Sequence, residues 1–314
     1  MTTSASYNYE LTAAQMISES FKLLGVRTAE TPLEDFEIQD GLTALNLMLK
    51  TWEMQGMHLW TREEAILFLD KGKAKYFVGS LGDESCNLAD FVGTTTTAAH
   101  VATDTVIAVT DSTGMTAADE VGILQDDGTR HWTTIVSVDS SIQITITTGL
   151  VSGAASGATV FTYTSKIQRP TRVSSIRRVT YGTDSEIKVD MIAREQYFDQ
   201  VNKETQGTVV QAYYTSFRAS GLLYIWNTSD SANKYLRLSY ERPIQDVDLV
   251  SETLDIPQEW QETVIYNLAA RLTNSYTVPP QKRQDIISAA AHFLEQALGY
   301  DEEIASIFIQ PDFT

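Results

Sequence analysis

Apolar positions near the start of the chain recur at helical spacing. Leu11, Ala14, Ile17, Phe21 and Leu24 share one stripe. Thr12 and Gln15 form a capping box, Leu11 is placed to staple to Met16, and Gly25 supplies a stop. A second stripe, Ile38, Leu42, Leu45, Leu49 and Trp52, follows an N-terminal signal at Thr31, Pro32 and Glu34 and ends at Gly56. Leu47 and Met54 lie off that stripe, which predicts a helix contacted on two faces. Ala65 to Leu69 and Ala74 to Val78 read as two strands around Asp70-Lys71-Gly72, a hairpin signal.

The pattern then changes. From about Asn87 to Ser165 the chain is rich in Thr, Ser, Val, Gly and Ala, without Pro or Lys. Val106 to Val109, Val121 to Leu124 and Trp132 to Val138 read as strands, the last two joined by the turn Asp126-Asp127-Gly128-Thr129. Ile142, Ile144 and Ile146 alternate, and Val160, Phe161 and Tyr163 give a last strand. About five short strands in this stretch predict a small closed all-β module.

After Pro170, strands are expected near Val173–Tyr181, Ile187–Ile192, Val209–Phe217, Leu222–Trp226 and Tyr235–Tyr240, with a short helix from Arg194 to Lys203. Trp260, Val264, Leu268 and Leu272 step by four behind Pro257. Ile286, Ala290, Phe293 and Ala297 form a last stripe, which Gly299 should end. The prediction is an α+β fold: a helical bundle core with an antiparallel β meander and an inserted small all-β module. Residues 1–87 and 166–299 are expected as a discontinuous helical core carrying the meander, 88–165 as the inserted module, and 300–314 as a C-terminal docking arm. Ile304, Ile307, Phe308, Ile309 and Phe313 make that arm too apolar to stay in water. It packs on its own subunit or docks on a neighbour.

Composition narrows the function classes. Of the 314 residues, 43% are hydrophobic and 20% charged, which describes a globular chain with a substantial core. No apolar run reaches the roughly 18 residues needed to span a bilayer. Met1 to Glu10 is polar and acidic, unlike a signal peptide, so folding in a cytoplasm is expected. The net charge of −18 argues against tight binding of a phosphate backbone but suits a conduit that DNA slides past. Residues 166–244 carry 12 basic and 8 acidic groups, whereas 1–87, 88–165 and 245–314 are each net acidic. A basic block beside acidic ones suits head-to-tail association of copies.

Candidate chemistry is sparse. The single Cys86 lies among acids, which make a thiol a poorer nucleophile, and it excludes an internal disulfide. His58, His100, His131 and His292 form no HExxH pair. There is no nucleophile elbow, phosphate loop or dinucleotide fingerprint. Asp126-Asp127, Glu63-Glu64 and Asp301-Glu302-Glu303 sit in turn, edge or tail contexts, where carboxylates are usually solvated. The expectation is no enzyme, no cofactor and no metal. An alternative is a carbohydrate-binding or hydrolysing protein that uses Trp132 and Tyr163 of the 88–165 module.

Several segments outside that module look familiar. Tyr240-Glu241-Arg242-Pro243, Asp255-Ile256-Pro257-Gln258-Glu259-Trp260 and Tyr266-Asn267-Leu268-Ala269-Ala270-Arg271-Leu272 occur in this order. With Gly221–Trp226, Ile192–Tyr197, Leu45-Asn46 and Trp52 followed by Gly56, they resemble the head-to-tail adaptor family of short-tailed phages. Its members are also called packaged-DNA stabilisation proteins, tail accessory factors or tail tubular protein A. The resemblance covers roughly 1–87 and 166–300 and makes 88–165 an insertion. It implies a virion protein of the neck, made in the host cytoplasm. Such proteins form a dodecameric ring beneath the portal, hold packaged double-stranded DNA in without sequence-specific binding, and receive the tail nozzle or fibres. It also implies that the C-terminal arm reaches toward the portal.

Overall fold

The computed structural model describes residues 8–27, 31–55, 59–83, 85–88, 90–183 and 185–300. The chain opens with helices α1 (Ala13–Leu24) and α2 (Asp35–Gln55). Strands β1 (Arg62–Phe68), β2 (Lys75–Val78) and β3 (Cys86–Leu88) follow. Next come β4 (Val92–Thr95), β5 (Val106–Ala108), β6 (Glu120–Leu124), β7 (Arg130–Ser140), β8 (Gln143–Ile146) and β9 (Thr159–Tyr163). Strands β10 (Arg172–Thr180) and β11 (Glu186–Met191) lead to the short helix α3 (Arg194–Phe198). The chain then forms β12 (Gln206–Gly207), β13 (Gln211–Ser216), β14 (Gly221–Trp226), β15 (Thr228–Ser229) and β16 (Lys234–Glu241). Helices α4 (Gln261–Leu272) and α5 (Pro280–Tyr300) complete the described residues.

These elements fall into two compact units, residues 1–61 with 244–314, and residues 62–243. The first holds the four long helices. Thr12 caps α1 reciprocally: Gln15 N–H donates to Thr12 Oγ1, and Thr12 N–H donates to Gln15 Oε1 at 2.9 Å. Gly25 takes the left-handed conformation that ends the helix. At Gly41 a Cβ would stand 2.5 Å from Ile17, so α1 and α2 approach at a contact only glycine permits. Ile17, Phe21, Leu45, Leu49, Val264, Leu268 and Ile286 fill the space between the helices. Trp260 is 1% exposed and meets Trp52 and Trp60 edge-on, with ring centroids 5.5 and 5.0 Å apart.

The second unit is β structure throughout except for α3. An eight-stranded sheet runs β2-β14-β13-β11-β10-β16-β1-β3, and a six-stranded sheet runs β4-β9-β6-β7-β8-β5. In the smaller sheet the two edges meet, since Thr97 N–H donates to Ala108 O and Thr110 N–H donates to Thr95 O. Ile107, Val121, Ile123, Ile144, Ile146 and Val160 fill its interior. A second apolar layer joins the sheets, where the rings of Phe68 and Phe161 stack at 4.7 Å among Phe91, Trp132, Tyr181 and Tyr235. Arg130 crosses the same junction. It is buried and donates to Gly122 O, Thr159 O, Thr159 Oγ1 and Ala232 O, with its guanidinium 4.0 Å over the Phe161 ring. Burial pushes its pKa down, opposed by the charge of Asp70.

Four expectations are corrected. The fold is not built on a helical bundle core. It is mostly β, with three sheets, two of them curled into half-barrels, and four long helices. The reason is non-local pairing. Strands from 62–88 and 172–241 join one sheet, in which β16 pairs along its length with β1 on one side and β10 on the other. The meander is not purely antiparallel, because β11 and β13 run parallel. The hairpin at Asp70-Lys71-Gly72 does not form. Gly72 makes the turn with a φ of +77°, but β1 pairs with β16 and β3, and β2 pairs with β14. Only residues 69–74 separate β1 from β2, so the sheet between them has to curl. Finally, α5 runs through Gly299 to Tyr300, because Gly299 keeps a helical backbone.

Candidate interaction surfaces

The aromatic residues after Pro170 build a ladder at one side of the large sheet. The β13–β14 register sets Tyr213 opposite Tyr224, and their rings stack at 5.9 Å. Helix α3, started by Ala193 N–H donating to Gln196 Oε1, lays Tyr197 and Phe198 against them, 5.0 and 5.7 Å from the Tyr224 ring. Burial and the neighbouring Tyr224 raise the pKa of Tyr197. Three cations cover the rings. Lys75 lies 5.1 Å from Phe77 and 5.9 Å from Tyr224, Arg194 lies 5.6 Å from Phe198, and Lys203 lies 5.8 Å from Phe198. Such contacts contribute about 0.5–1 kcal/mol each at exposed sites, enough to order side chains without dictating the fold. Phe77 and Phe198 remain exposed, giving an amphipathic platform.

A second surface runs along α2. Its inner stripe is buried, whereas Phe36, Leu47 and Met54 are 61, 59 and 81% exposed. Their spacing of eleven and seven residues returns to one face of a helix. Among the described residues the expected second contact of this helix is not made. At its start, Glu37 is buried and accepts from Arg27 Nε at 2.9 Å to Oε1 and 3.0 Å to Oε2, with Arg27 Nη2 also 2.9 Å from Oε2, while accepting the Glu34 N–H. Burial alone would raise its pKa, but the Arg27 hydrogen bond, the Glu34 N–H and the Arg27 charge together hold it below the usual carboxylate range.

Charge divides sharply between the units. Residues 1–61 with 244–314 carry six basic and twenty acidic side chains, whereas 62–243 carry seventeen and twenty-one. The strand-edge acids are engaged: Glu63 accepts from Arg242 and Tyr240, and Glu64 pairs with Arg177. Asp127 accepts from the Thr129 hydroxyl and N–H, which lowers its pKa and closes the turn. His131 Nε2 lies 3.1 Å from Thr148 O, and His100 Nε2 accepts the Ala108 N–H. His292 is exposed, and His58 lies outside the described residues. Among the described residues no cluster of three His, Cys, Asp or Glu is placed to hold a metal ion. No helix among them is long and apolar enough to cross a membrane.

Trp132 and Tyr163, the aromatics proposed to meet sugars, pack against each other and against the sheet junction, and Tyr163 is 3% exposed. The docking residues Ile304, Ile307, Phe308, Ile309 and Phe313 lie outside the described residues. The outer face of α2 and the pairing of α3 with β14 were not visible as surfaces in the sequence, although Leu47 and Met54 signalled the former. Comparison with known proteins gives no matching family model and no similar curated protein.

Proposed function

We propose that this chain is a subunit of a head-to-tail adaptor ring in a short-tailed phage virion. Copies assemble as a dodecamer on the portal ring, extend its channel, retain the packaged DNA and receive the tail nozzle or fibres. No catalytic step is assigned to it. The observation that supports this reading is the meeting of the segments that carry the resemblance. Trp52 packs on Trp260, and the Tyr197 and Tyr224 rings lie 5.0 Å apart. Pieces scattered along the chain thus form two local structural kernels, one in each unit. The strongly acidic helical unit suits a passage that repels phosphate, and the aromatic platform suits broad contact between subunits.

The functional test uses DNA-filled heads that lack the adaptor. Adding the purified protein should protect the packaged DNA from nuclease. Unchanged nuclease sensitivity at saturating protein would overturn the reading.

A further inference from the structure

A hollow of about 260 Å³ opens on the large sheet where β10 borders β16 and β11. Its place follows from the strand register. Arg178 stands opposite Leu236, and Thr180 stands opposite Lys234. Side chains two apart along a strand share a face, and Arg178, Thr180 and Lys234 all line the hollow. The two cations occupy diagonal positions, which lie about 7–8 Å apart on neighbouring strands. Leu69, Ile187 and Val209 supply an apolar side.

The cations there are under-matched. Arg178 Nη1 donates to Val209 O at 2.7 Å, and among the described residues that carbonyl is its only partner. The bond orients the guanidinium plane and leaves its other N–H groups for a ligand. Arg177, on the opposite face, is by contrast matched by Glu64 and Glu186. Lys234 pairs with Asp230, which offsets part of the charge but does not line the hollow. An ammonium has further donors beyond that pair. Thr180 and Thr208 add hydroxyls that make no hydrogen bond among the described residues. Asp184, a nearby acid in sequence, lies outside the described residues.

We propose that this hollow binds a phosphate group, presented as inorganic phosphate or as the monoester of a small molecule. The Arg178 fork takes phosphate oxygens, the Lys234 ammonium supplies charge from β16, and the Thr180 and Thr208 hydroxyls donate to the same group. The apolar side gives the carbon part of an ester a surface to lie on. Size sets the class: drug-sized ligands occupy about 300–1,000 Å³, so this smaller hollow suits an ion or a small ester. The site stands independently of the ring reading.

The test titrates the full-length chain with inorganic phosphate by calorimetry, at constant ionic strength set with sodium chloride. One saturable site is expected. Arg178→Gln should weaken it by about tenfold or more, and Lys234→Gln by about threefold or more. Lys188→Gln removes the same charge from the opposite face and should leave binding unchanged. Glycerol 3-phosphate identifies the source: tighter binding than inorganic phosphate supports the site as one for an ester, and equal or weaker binding supports it as one for the free ion. A measurement on the wild-type chain needs no variant. Saturating phosphate should slow hydrogen exchange in β10 and β16 by about threefold or more. Absence of saturable binding overturns the proposal, as does equal weakening by Lys188→Gln or unchanged exchange. Binding that appears only in Asp184→Asn also overturns it, because the seat then belongs to the chain's own carboxylate.

Discussion

Asn46 on α2 closes on the backbone of Val247 in both directions. Its Nδ2 donates to Val247 O at 2.9 Å, and its Oδ1 accepts Val247 N–H at 3.0 Å. One amide thus substitutes for a strand partner and fixes the segment leading from β16 toward α4. Lys50, one turn on, donates to Ile244 O at 2.7 Å and secures the same segment. Val247 is buried, so water does not readily replace either bond. Asn46→Ala should destabilise the protein by about 1–3 kcal/mol, read by urea denaturation. Asn46→Asp should cost at least as much, since it loses the donor and sets a negative charge against the Val247 carbonyl.

Trp260 is the centre of the helical unit. Replacement by alanine removes a side chain that Trp52 and Trp60 both contact, and should cost about 3–5 kcal/mol. On heating, near-ultraviolet circular dichroism should lose the part of its tryptophan signal that comes from Trp52 and Trp60 well before the β structure melts. Coincident loss of both would show that the two units unfold as one.

Arg130 holds the junction of the two sheets with backbone carbonyls. Arg130→Met keeps much of the volume but leaves Gly122, Thr159 and Ala232 carbonyls short of a donor. The expected loss is about 3 kcal/mol, measured by thermal unfolding. Arg130→Lys should rescue only part of it, because a single ammonium cannot reach the same set of acceptors in a planar fork.

Glu37 sets an acid limit on the helical unit. Its pKa is held below the usual carboxylate range when folded, so the unfolded chain takes up a proton first as pH falls. Its contribution is therefore complete above the unfolded carboxylate pKa and is lost as pH falls through the lower folded value. A stability profile from pH 7 downward should show this loss, and Glu37→Gln should flatten that part of the profile while lowering stability at neutral pH.

Local chemistry was legible in the sequence. The Thr12–Gln15 box and Gly25 stop involve neighbours within one or two turns, and both form as read. Partner choice was not. The turn at Gly72 is real, but β1 finds a longer partner in β16, and only three-dimensional pairing reveals this. The balance between helix and sheet was misjudged for the same reason, because a strand's contribution depends on partners far away in the chain. Gly299 shows the limit of a single-residue stop signal: its backbone is not left-handed, and Tyr300 after it is still helical. In the candidate surfaces, Tyr213 and Tyr224 were visible as part of an aromatic run, whereas Gln261 resembles any polar residue at a helix start. Its Nε2 finds Tyr9 O while its Oε1 is buried without a donor among the described residues, a state visible only in the fold.

The ring reading is tested most directly by mixing the full-length protein with purified portal rings and imaging the product by electron microscopy. The account predicts a dodecameric ring of this chain seated coaxially on the portal. Portal rings that remain bare at saturating protein would contradict it.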